Sequence, residues 1–554
     1  MATQPRGPAG RFHVYLGIIG AVGLVGRVLF VRTEAPIRFL TDEFWFVVEA
    51  RRVFSSHPFT DPVFGYPTAL HGPLGAVVLA PLAWLLPHST SSLRLFSALI
   101  GTATVISCGV VGRRFGGHRV GLAAAVVAAL TPDLWMASGL VGDDALAALL
   151  FVWVVAVTYA ALDRWTWPRG VALGVLLGLL TLCFTGSLEV TAVLLVGLAC
   201  HEVRRAGPRA RLRGALASLV AVAALLVVLA PWLAFNHHRF HGNLVITTEL
   251  GQTLNQSNNA ATYFQGPDFG YQTILPPPVS ATSDQKMSEP TMDRIERDQA
   301  LGYVRTHWTR LVYVLPLRAL WEWSLWRPGL VADREVLMGF PSWTGDVQAV
   351  GTWILLALGA AGLWLLRRRG VAVWPLVALL VLATANGVAF TPSYRYRMGG
   401  IIALIFLAAV AVDRGRTVWT ARPQSARSPG TSSQQRREPR SKLPSGVGQL
   451  CRDRSTNEPL PVGGFWNASA KHVVVEGQET CATARVPLGS GADCQLAPPS
   501  TVVARSPNAS AKVITAPVPV GTMMPDVQHD ARLAQESDVS IEFGSPDVSV
   551  ARQL

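Results

Sequence analysis

The stretch Phe39-Leu-Thr-Asp-Glu-Phe-Trp-Phe-Val-Val-Glu-Ala-Arg-Arg52 follows the first long apolar run of the chain and leads on to Tyr66-Pro-Thr-Ala-Leu-His-Gly-Pro-Leu74. It places two adjacent acids, Asp42 and Glu43, a short loop beyond a predicted membrane boundary. Acids so close to a bilayer are costly to desolvate, so they tend to be paired, solvated in a cavity, or functional. The remainder of the chain is predicted to be a membrane scaffold that carries this loop.

Composition supports a membrane protein. Half of the 554 residues are apolar and only 15% are charged, whereas a soluble domain carries about 25% charged residues. The net charge of +13 does not indicate a nucleic-acid partner, because most basic residues lie in short loops between apolar runs or just after the last one. None of the six cysteines has a CxxC or other metal-ligand spacing, so no chemistry is assigned to them.

The apolar runs predict an all-α, polytopic integral membrane protein with roughly 10–12 transmembrane helices. A span needs about 20 apolar residues. Two runs, at 73–87 and 311–330, are ambiguous, and the former has to be re-entrant or interfacial if the count is even. The ten firm candidate spans are 12–31, 92–112, 119–137, 145–162, 168–185, 187–202, 214–235, 350–366, 371–390 and 397–413.

Charge predicts the orientation of these spans. The short basic loops 113–119, 204–213 and 367–369 should all be cytoplasmic. All three are satisfied if both termini are cytoplasmic and the protein is a multi-pass protein of the cytoplasmic membrane. The loops 32–91 and 236–349 then lie on the outer side, where we expect them to form the active site.

The chain is predicted to divide into a membrane domain, 1–413, and a cytoplasmic tail, 414–554. Residues 414–454 carry ten Lys or Arg against two acids, which favours contact with anionic membrane lipids. The residues after 454 are rich in Pro, Ser, Gly, Ala and Val without a sustained helical or strand period, so this part of the tail is predicted to be disordered.

Four polar clusters are predicted to share the outer side: Asp42-Glu43, Asp143-Asp144, Glu249 with the run 252–259, and the run 391–397 with its two arginines, Arg395 and Arg397. Arginines suit phosphate, which they hold with charge-assisted hydrogen bonds. A carboxylate is needed if a hydroxyl must lose its proton during attack. Together these groups could bind a polar headgroup whose tail stays in lipid.

Each cluster also has a structural explanation. The pair Asp42-Glu43 could be solvated loop acids, and Asp143-Asp144 could cap a helix and complement its dipole. Arg395 and Arg397 could be interfacial anchors, and His71 could serve only the loop structure. These alternatives stay open at the level of single residues.

Taken together, the motifs resemble a known family. They are the first-loop Asp-Glu, the element His71-Gly-Pro-Leu74, an outer acid before a span, an Asn-Asn run ending at Asn259 and a late Arg-Tyr-Arg. This order is similar to that of the C-type membrane glycosyltransferases of the polyprenyl-phosphate-mannose protein mannosyltransferase and lipid A aminoarabinose transferase kind. The resemblance covers residues 12–413. Gly72 stands where the family commonly has a second proline.

The resemblance implies roles for individual residues. Asp42 would be the catalytic base that takes the proton of the acceptor hydroxyl, and Glu43 would support it or help to shape the acceptor site. Arg395 and Arg397 would hold the phosphate of the donor, and attack opposite that leaving group implies inversion at the anomeric carbon. The substrate-binding residues implied are Asp143, Asp144, His71, Asn258, Asn259, Arg395, Tyr396 and Arg397. Some members use a divalent metal ion; this chain has no clear ligand set, so a metal is optional.

The predicted function is transfer of a mannose- or arabinose-type sugar from a polyprenyl-phosphate donor to a protein, lipid or glycan acceptor outside the membrane. A transporter or flippase for a lipid-linked substrate is the rival from another class. Transporters more often show internal repeats and broken segments near the bilayer midplane, whereas here the charges gather at one face and no repeat is visible. A catalytically inactive relative with an assembly role is a third reading.

Overall fold

The computed structural model describes residues 9–33, 41–61, 65–205, 207–243, 245–264, 266–273 and 287–420. The predicted basic and disordered tail after residue 420 lies outside this range, as do Phe39 and Leu40. The described residues form helices and no β-strand; one isolated bridge pairs Thr60 with Pro67. The predicted all-α fold is confirmed.

Seventeen α-helices occur among the described residues. They are α1 (Ala9–Val31), α2 (Asp42–Arg52), α3 (Pro73–Leu85), α4 (Thr90–Leu130), α5 (Pro132–Gly139), α6 (Asp144–Asp163), α7 (Trp167–Cys183), α8 (Leu188–Arg205), α9 (Pro208–Arg239), α10 (Glu249–Ser257), α11 (Ala260–Tyr263), α12 (Glu289–Thr306), α13 (Leu311–Glu322), α14 (Pro328–Leu337), α15 (Trp343–Arg368), α16 (Trp374–Ala389) and α17 (Met398–Thr420).

Seven helices in the described part of the chain are long and apolar enough to cross a membrane, namely α1, α4, α6, α8, α9, α15 and α17. Three shorter apolar helices, α3, α7 and α16, accompany them. Nine of the ten firm predicted spans therefore each lie, to within a few residues, on one helix or one half of α4, and the exception is 119–137. The ambiguous run 311–330 forms the short helices α13 and the start of α14.

The predicted spans 92–112 and 119–137 differ from the structure in two ways. Both belong to one helix with a sharp turn, α4, and the second span ends earlier than predicted. Helix α4 doubles back at Gly116 and Gly117, and the φ of +77° at Gly117 is one that glycine adopts without steric cost. Its returning half ends at Leu130, seven residues before the predicted end of the span. Thr131 is extended because the residue before a proline is disfavoured in the helical region, and Pro132 begins α5.

Helix α17 forms the centre of the bundle. All ten residues from Ile401 to Val410 are exposed by 2% or less. The helix packs against α4, α6, α15 and α16. Its approach to α15 is close enough that a Cβ on Gly362 would lie 1.8 Å from the backbone oxygen of Leu407. Burial and close packing therefore fix the position of this central helix, and with it the position of the residues just before Met398.

Helices α7 and α9 pack through small residues. A Cβ on Gly170 would lie 2.4 Å from the oxygen of Ala217, and one on Gly174 would lie 2.1 Å from the oxygen of Ala221. Small residues spaced by four allow helix backbones to approach closely in lipid, where packing rather than hydrophobicity drives association. This contact anchors α9, from which the segment 245–263 extends.

The basic loops share one face of the bundle. Arg114 at the α4 turn pairs with Asp163 at the end of α6. The hydroxyl of Tyr159 donates to the backbone oxygen of Ala372 in the connection between α15 and α16 (2.7 Å). The starts of α2, α6 and α17 lie at the opposite face. Which face is cytoplasmic remains a prediction from charge.

Candidate active site

A single guanidinium joins three carboxylates at the start of α17. Arg395 Nη1 donates to Asp42 Oδ2, Nη2 lies 3.0 Å from Asp143 Oδ1, and Nε donates to Asp144 Oδ1 over 2.9 Å. The Arg395 side chain is 20% exposed and that of Asp42 is 45% exposed. Four predicted site residues from three distant segments of the chain are thus brought together, and Asp42 is the most exposed of them.

Helix starts place the three acids. Thr41 precedes α2 and its hydroxyl accepts weakly from the Phe44 amide (3.5 Å). Asp42 is the first residue of α2, and Asp143 and Asp144 stand at the cap and first position of α6. The positive end of a helix dipole favours negative charge, so both helices stabilise these carboxylates where they converge.

Glu43 points away from Arg395 and into the protein. Both of its oxygens accept from Arg94 of α4, at 2.7 Å from Nε and 2.6 Å from Nη2, and Oε1 also accepts from the Val141 amide at 2.9 Å. The Glu43 side chain is 3% exposed. This buried bidentate pair fixes the start of α2 against the loop that carries Asp143, so Glu43 positions Asp42.

His71 and Glu249 form a second wall of the site. The Thr248 amide donates to the Ala69 oxygen (2.9 Å), which brings the start of α10 beside the loop before α3. The His71 ring stacks on Phe46, with centroids 5.1 Å apart, and its buried Nε2 has no hydrogen-bond partner among the described residues. His71 is close enough to Asp42 and to Glu249 to oppose the rise that burial causes in the pKa of each carboxyl group.

Glu289, the first residue of α12, holds this wall in place. Its Oε1 accepts from the Thr68 hydroxyl (2.5 Å), and its Oε2 accepts from the Ala69 amide and the Thr248 hydroxyl (2.7 Å each). One carboxylate therefore ties the loop before α3 to the start of α10. Because Thr248 and Ala69 flank the second wall, this contact sets where Glu249 and His71 lie.

The acids of the site have pKa values shifted in different directions. Burial raises the pKa of Asp42, but Arg395 and then His71 lower it by more, so the net pKa is below its usual range. Burial raises the pKa of Asp143 to about 7, against the opposing effect of Arg395 and with a further rise from Asp144. Burial also raises the pKa of Glu249. At neutral pH Asp42 is therefore ionised, whereas Asp143 is near its midpoint.

Tyr396 reaches the site, but Arg397 does not. Tyr396 lies between Phe184 and Phe390 and close to Glu249, and burial followed by that carboxylate raises its pKa. Arg397 is 2% exposed, donates from Nε to Asp133 Oδ1 (2.8 Å) and places Nη2 at 2.8 Å from the same oxygen. Its contacts fix the start of α17 rather than face the open side of Asp42.

Asn258 and Asn259 are also engaged inside the protein. Asn258 Oδ1 accepts from the Tyr263 hydroxyl (2.8 Å) and from Arg318 (3.2 Å). Asn259 caps α11 through a reciprocal bond with Thr262 and donates to two backbone oxygens of α10. Both side chains are at most 8% exposed. These contacts shape the segment after α9 and leave little of either amide for a substrate.

Two residues of this arrangement belong to no sequence motif, namely Arg94 and Asp133, the partners of Glu43 and Arg397. Tyr394, which is part of the run 391–397, donates to Asp144 Oδ2 (3.2 Å). In the sequence, Glu249 is distinguished only by the polar run that follows it. Charged residues at the outer ends of apolar runs were the available signal for Arg94 and Asp133, although nothing in the sequence identifies their partners.

A metal ion does not fit the described residues. No group of three or more His, Cys, Asp or Glu side chains among them is arranged to hold one. The space between Asp42, Asp143 and Asp144 is taken by the Arg395 guanidinium. Positive charge at this point is therefore supplied by the protein.

No protein-family model matches the chain, and no curated protein sequence matches it. Solved structures do. The crystal structure of the Archaeoglobus fulgidus oligosaccharyltransferase with zinc and sulfate is similar over 73% of this chain and 49% of that chain, with 15% identity and a TM-score of 0.45. This chain thus spans about half the length of that protein.

Two further solved structures are similar. The S. cerevisiae protein O-mannosyltransferase Pmt1-Pmt2 complex bound to the sugar donor is 18% identical over 46% of this chain and 37% of that chain, with a TM-score of 0.34. ArnT from Cupriavidus metallidurans bound to undecaprenyl phosphate is 19% identical over 74% of this chain and 79% of that chain, with a TM-score of 0.36. These proteins are of the kinds that the sequence motifs resemble. The chemistry of the site rests on its own residues.

Proposed function

We propose that this chain is a membrane glycosyltransferase that moves a sugar from a polyprenyl-phosphate donor to an acceptor hydroxyl, with Asp42 as the general base. The proposal is carried by one observation: a partly open guanidinium, that of Arg395, is held beside an ionised and more open carboxylate, that of Asp42. The first group suits a phosphate and the second suits a hydroxyl proton.

The proposed reaction is a single displacement. The acceptor oxygen attacks the anomeric carbon as the bond from that carbon to the phosphate oxygen breaks, and the electron pair of that bond stays on the phosphate. The acceptor proton passes to Asp42. Arg395 stabilises the negative charge that grows on the leaving phosphate, an effect that is greatest in a water-poor site. Attack on the face opposite the phosphate inverts the anomeric configuration.

Arg395 also links donor binding to the strength of the base. Without a donor, Arg395 lowers the pKa of Asp42 and so weakens it as a base. A donor phosphate competes with Asp42 for the guanidinium, because both are anionic acceptors of the same N–H groups. When the phosphate takes that contact, Asp42 is released and its pKa rises. The base becomes stronger only when a donor is present.

The donor sugar is proposed to be of the mannose or arabinose type, and the acceptor to be a protein, lipid or glycan on the outer side of the cytoplasmic membrane. Purified protein in lipid would be given radiolabelled polyprenyl-phosphate mannose or arabinose and a membrane extract as acceptor. Label should enter the acceptor with one donor. Labelled lipid that crosses the bilayer without transfer would instead identify a flippase and overturn the proposal.

A further inference from the structure

A groove runs along the side of the helix bundle, between the returning half of α4, helix α15 and helix α17. Its cavity volume is about 820 Å³. Most of its lining is apolar, and Val126, Leu130, Ile354 and Val412 remain 40% or more exposed there. A groove of this composition among membrane-spanning helices is suited to hydrocarbon.

Charge marks only one end of the groove. Arg119 and Asp413 both line it, the first just after the Gly117 turn and the second far along α17 from Arg395. Both therefore lie toward the face of the bundle opposite the candidate active site. Neither takes part in the ion pairs found among the described residues, whereas nearby Arg114 is paired with Asp163.

The other end of the groove is lined by uncharged residues, among them Leu130, Thr131, Pro132 and Gly351. Gly351 of α15 lies against Pro132, so that a Cβ on it would be 2.8 Å from Pro132 Cδ. Arg397, a cation at the site face of the bundle, is not among the groove's lining residues; it is 2% exposed and paired with Asp133. A lipid whose phosphate sits at the active site would find no charge here. The charged end of the groove lies away from the candidate active site, so the groove does not suit the proposed donor, whose phosphate would bind at that site.

Its length matches one leaflet. From Arg119 to Leu130 the helix rises about 17 Å at 1.5 Å per residue. Half of a hydrocarbon core about 30 Å thick is close to this value. A headgroup at Arg119 and Asp413 would therefore leave its chains within the apolar part of the groove.

We propose that this groove is a binding site for one zwitterionic phospholipid of the leaflet opposite the active site, with a phosphoethanolamine headgroup. Arg119 donates to the phosphate and Asp413 accepts from the ammonium group. A headgroup with both charges matches this pair, whereas phosphatidylglycerol carries the same phosphate for Arg119 but offers Asp413 only an uncharged glycerol in place of the ammonium group. The site is independent of the proposed transfer reaction.

The test uses the full chain, purified in mild detergent. Native mass spectrometry should find one retained phosphatidylethanolamine per chain. After delipidation, phosphatidylethanolamine should bind about two- to five-fold more tightly than phosphatidylglycerol, the range expected for one partly exposed charge contact. Arg119→Gln and Asp413→Asn should each weaken phosphatidylethanolamine binding by a similar factor. Asp413→Lys should reverse the preference toward phosphatidylglycerol.

Two matched controls separate the groove from the rest of the lipid-facing surface. Val126→Trp fills the groove and should abolish retention, whereas Val222→Trp, at a residue of similar exposure on α9, should not. Arg213→Gln, at an exposed arginine of the same face, should leave the headgroup preference unchanged. Thermal unfolding identifies any variant that fails to fold, and the Asp413 variants then carry the test.

The proposal is overturned by three results. One is equal binding of the two phospholipids by the unaltered protein, which would remove the role of Asp413. Another is retention of lipid by a folded Val126→Trp variant. The last is retention of polyprenyl phosphate in place of phospholipid, which would make the groove part of the donor site.

Discussion

Replacing Asp42 by Asn should separate chemistry from donor binding in a way that general damage to the fold would not. The variant keeps the size of the side chain but removes the proton acceptor, so kcat should fall by about 10²–10⁴-fold. The same change removes one of the three carboxylates that compete with a phosphate for Arg395. Donor affinity should therefore rise while turnover collapses.

The size of the affinity change follows from exposure. The Asp42 side chain is 45% exposed, so its contact with Arg395 is treated as a surface ion pair worth about 0.2–1 kcal/mol. Removing that competitor should tighten donor binding by up to about five-fold. By contrast, Arg395→Gln removes charge-assisted hydrogen bonds worth about 1.5–3 kcal/mol each and should weaken donor binding by tenfold or more.

The assay measures two quantities on protein in lipid. Turnover comes from transfer of radiolabelled sugar at saturating donor, and the donor Kd comes from equilibrium binding without acceptor. Asp298→Asn, at an exposed acid of α12, is the matched control and should change neither. An Asp42→Asn variant whose kcat stays within tenfold of the unaltered protein would refute the role of Asp42 as base. A folded variant with weaker donor binding would refute the competition for Arg395.

Four further predictions concern other buried charges. Glu43→Gln should lower the free energy of unfolding by about 3–5 kcal/mol, because it leaves Arg94 buried without its anionic partner. Unfolding in SDS measures this loss, and the double variant Glu43→Leu with Arg94→Leu should recover part of it. Arg397→Lys should reduce stability in the same assay while leaving donor Kd within about twofold, because its guanidinium is 2% exposed; a tenfold weaker Kd in the folded variant would contradict this. Donor binding should weaken as pH rises through about 7, because Asp143 ionises there and then competes more strongly with the donor phosphate for Arg395. In a binding titration, Asp143→Asn should flatten this pH dependence. Burial raises the pKa of Glu49 from 4.5 to about 8, so folding takes up a proton between these two pH values. The free energy of unfolding should therefore fall as pH rises from 4.5 to about 8, by at most about 5 kcal/mol. Glu49→Gln should remove this slope in thermal unfolding curves at pH 5–9.

The sequence predicted most of the helices because each span is a local property. About 20 consecutive apolar residues can satisfy their backbone groups only as a helix within a membrane, whatever the neighbours are. The ends of the spans were less well predicted. The span 119–137 is wrong at its end, since Pro132 starts a new helix there, while the doubling back at Gly117 depends on a backbone angle that the sequence only permits.

The candidate site was predicted in part. The motifs identified Asp42, Asp143, Asp144 and Arg395, which lie together because the starts of α2, α6 and α17 meet at one face. Motif membership did not separate Arg395 from its neighbour Arg397. The two differ only in which way they point from the start of α17, and that direction is set by helix packing.

The sequence by itself determined that this is an all-α membrane protein with acids and arginines at one face, since hydropathy and charge placement are read along the chain. Only the tertiary structure decided which of these charges face the open side of the candidate site and which are paired inside the protein. Glu43 and Arg397 look like site residues in the sequence, yet Arg94 and Asp133 pair with them inside the protein. Burying a charge requires a partner that can come from any distance along the chain, so the division between supporting and open charges appears only when the helices are packed.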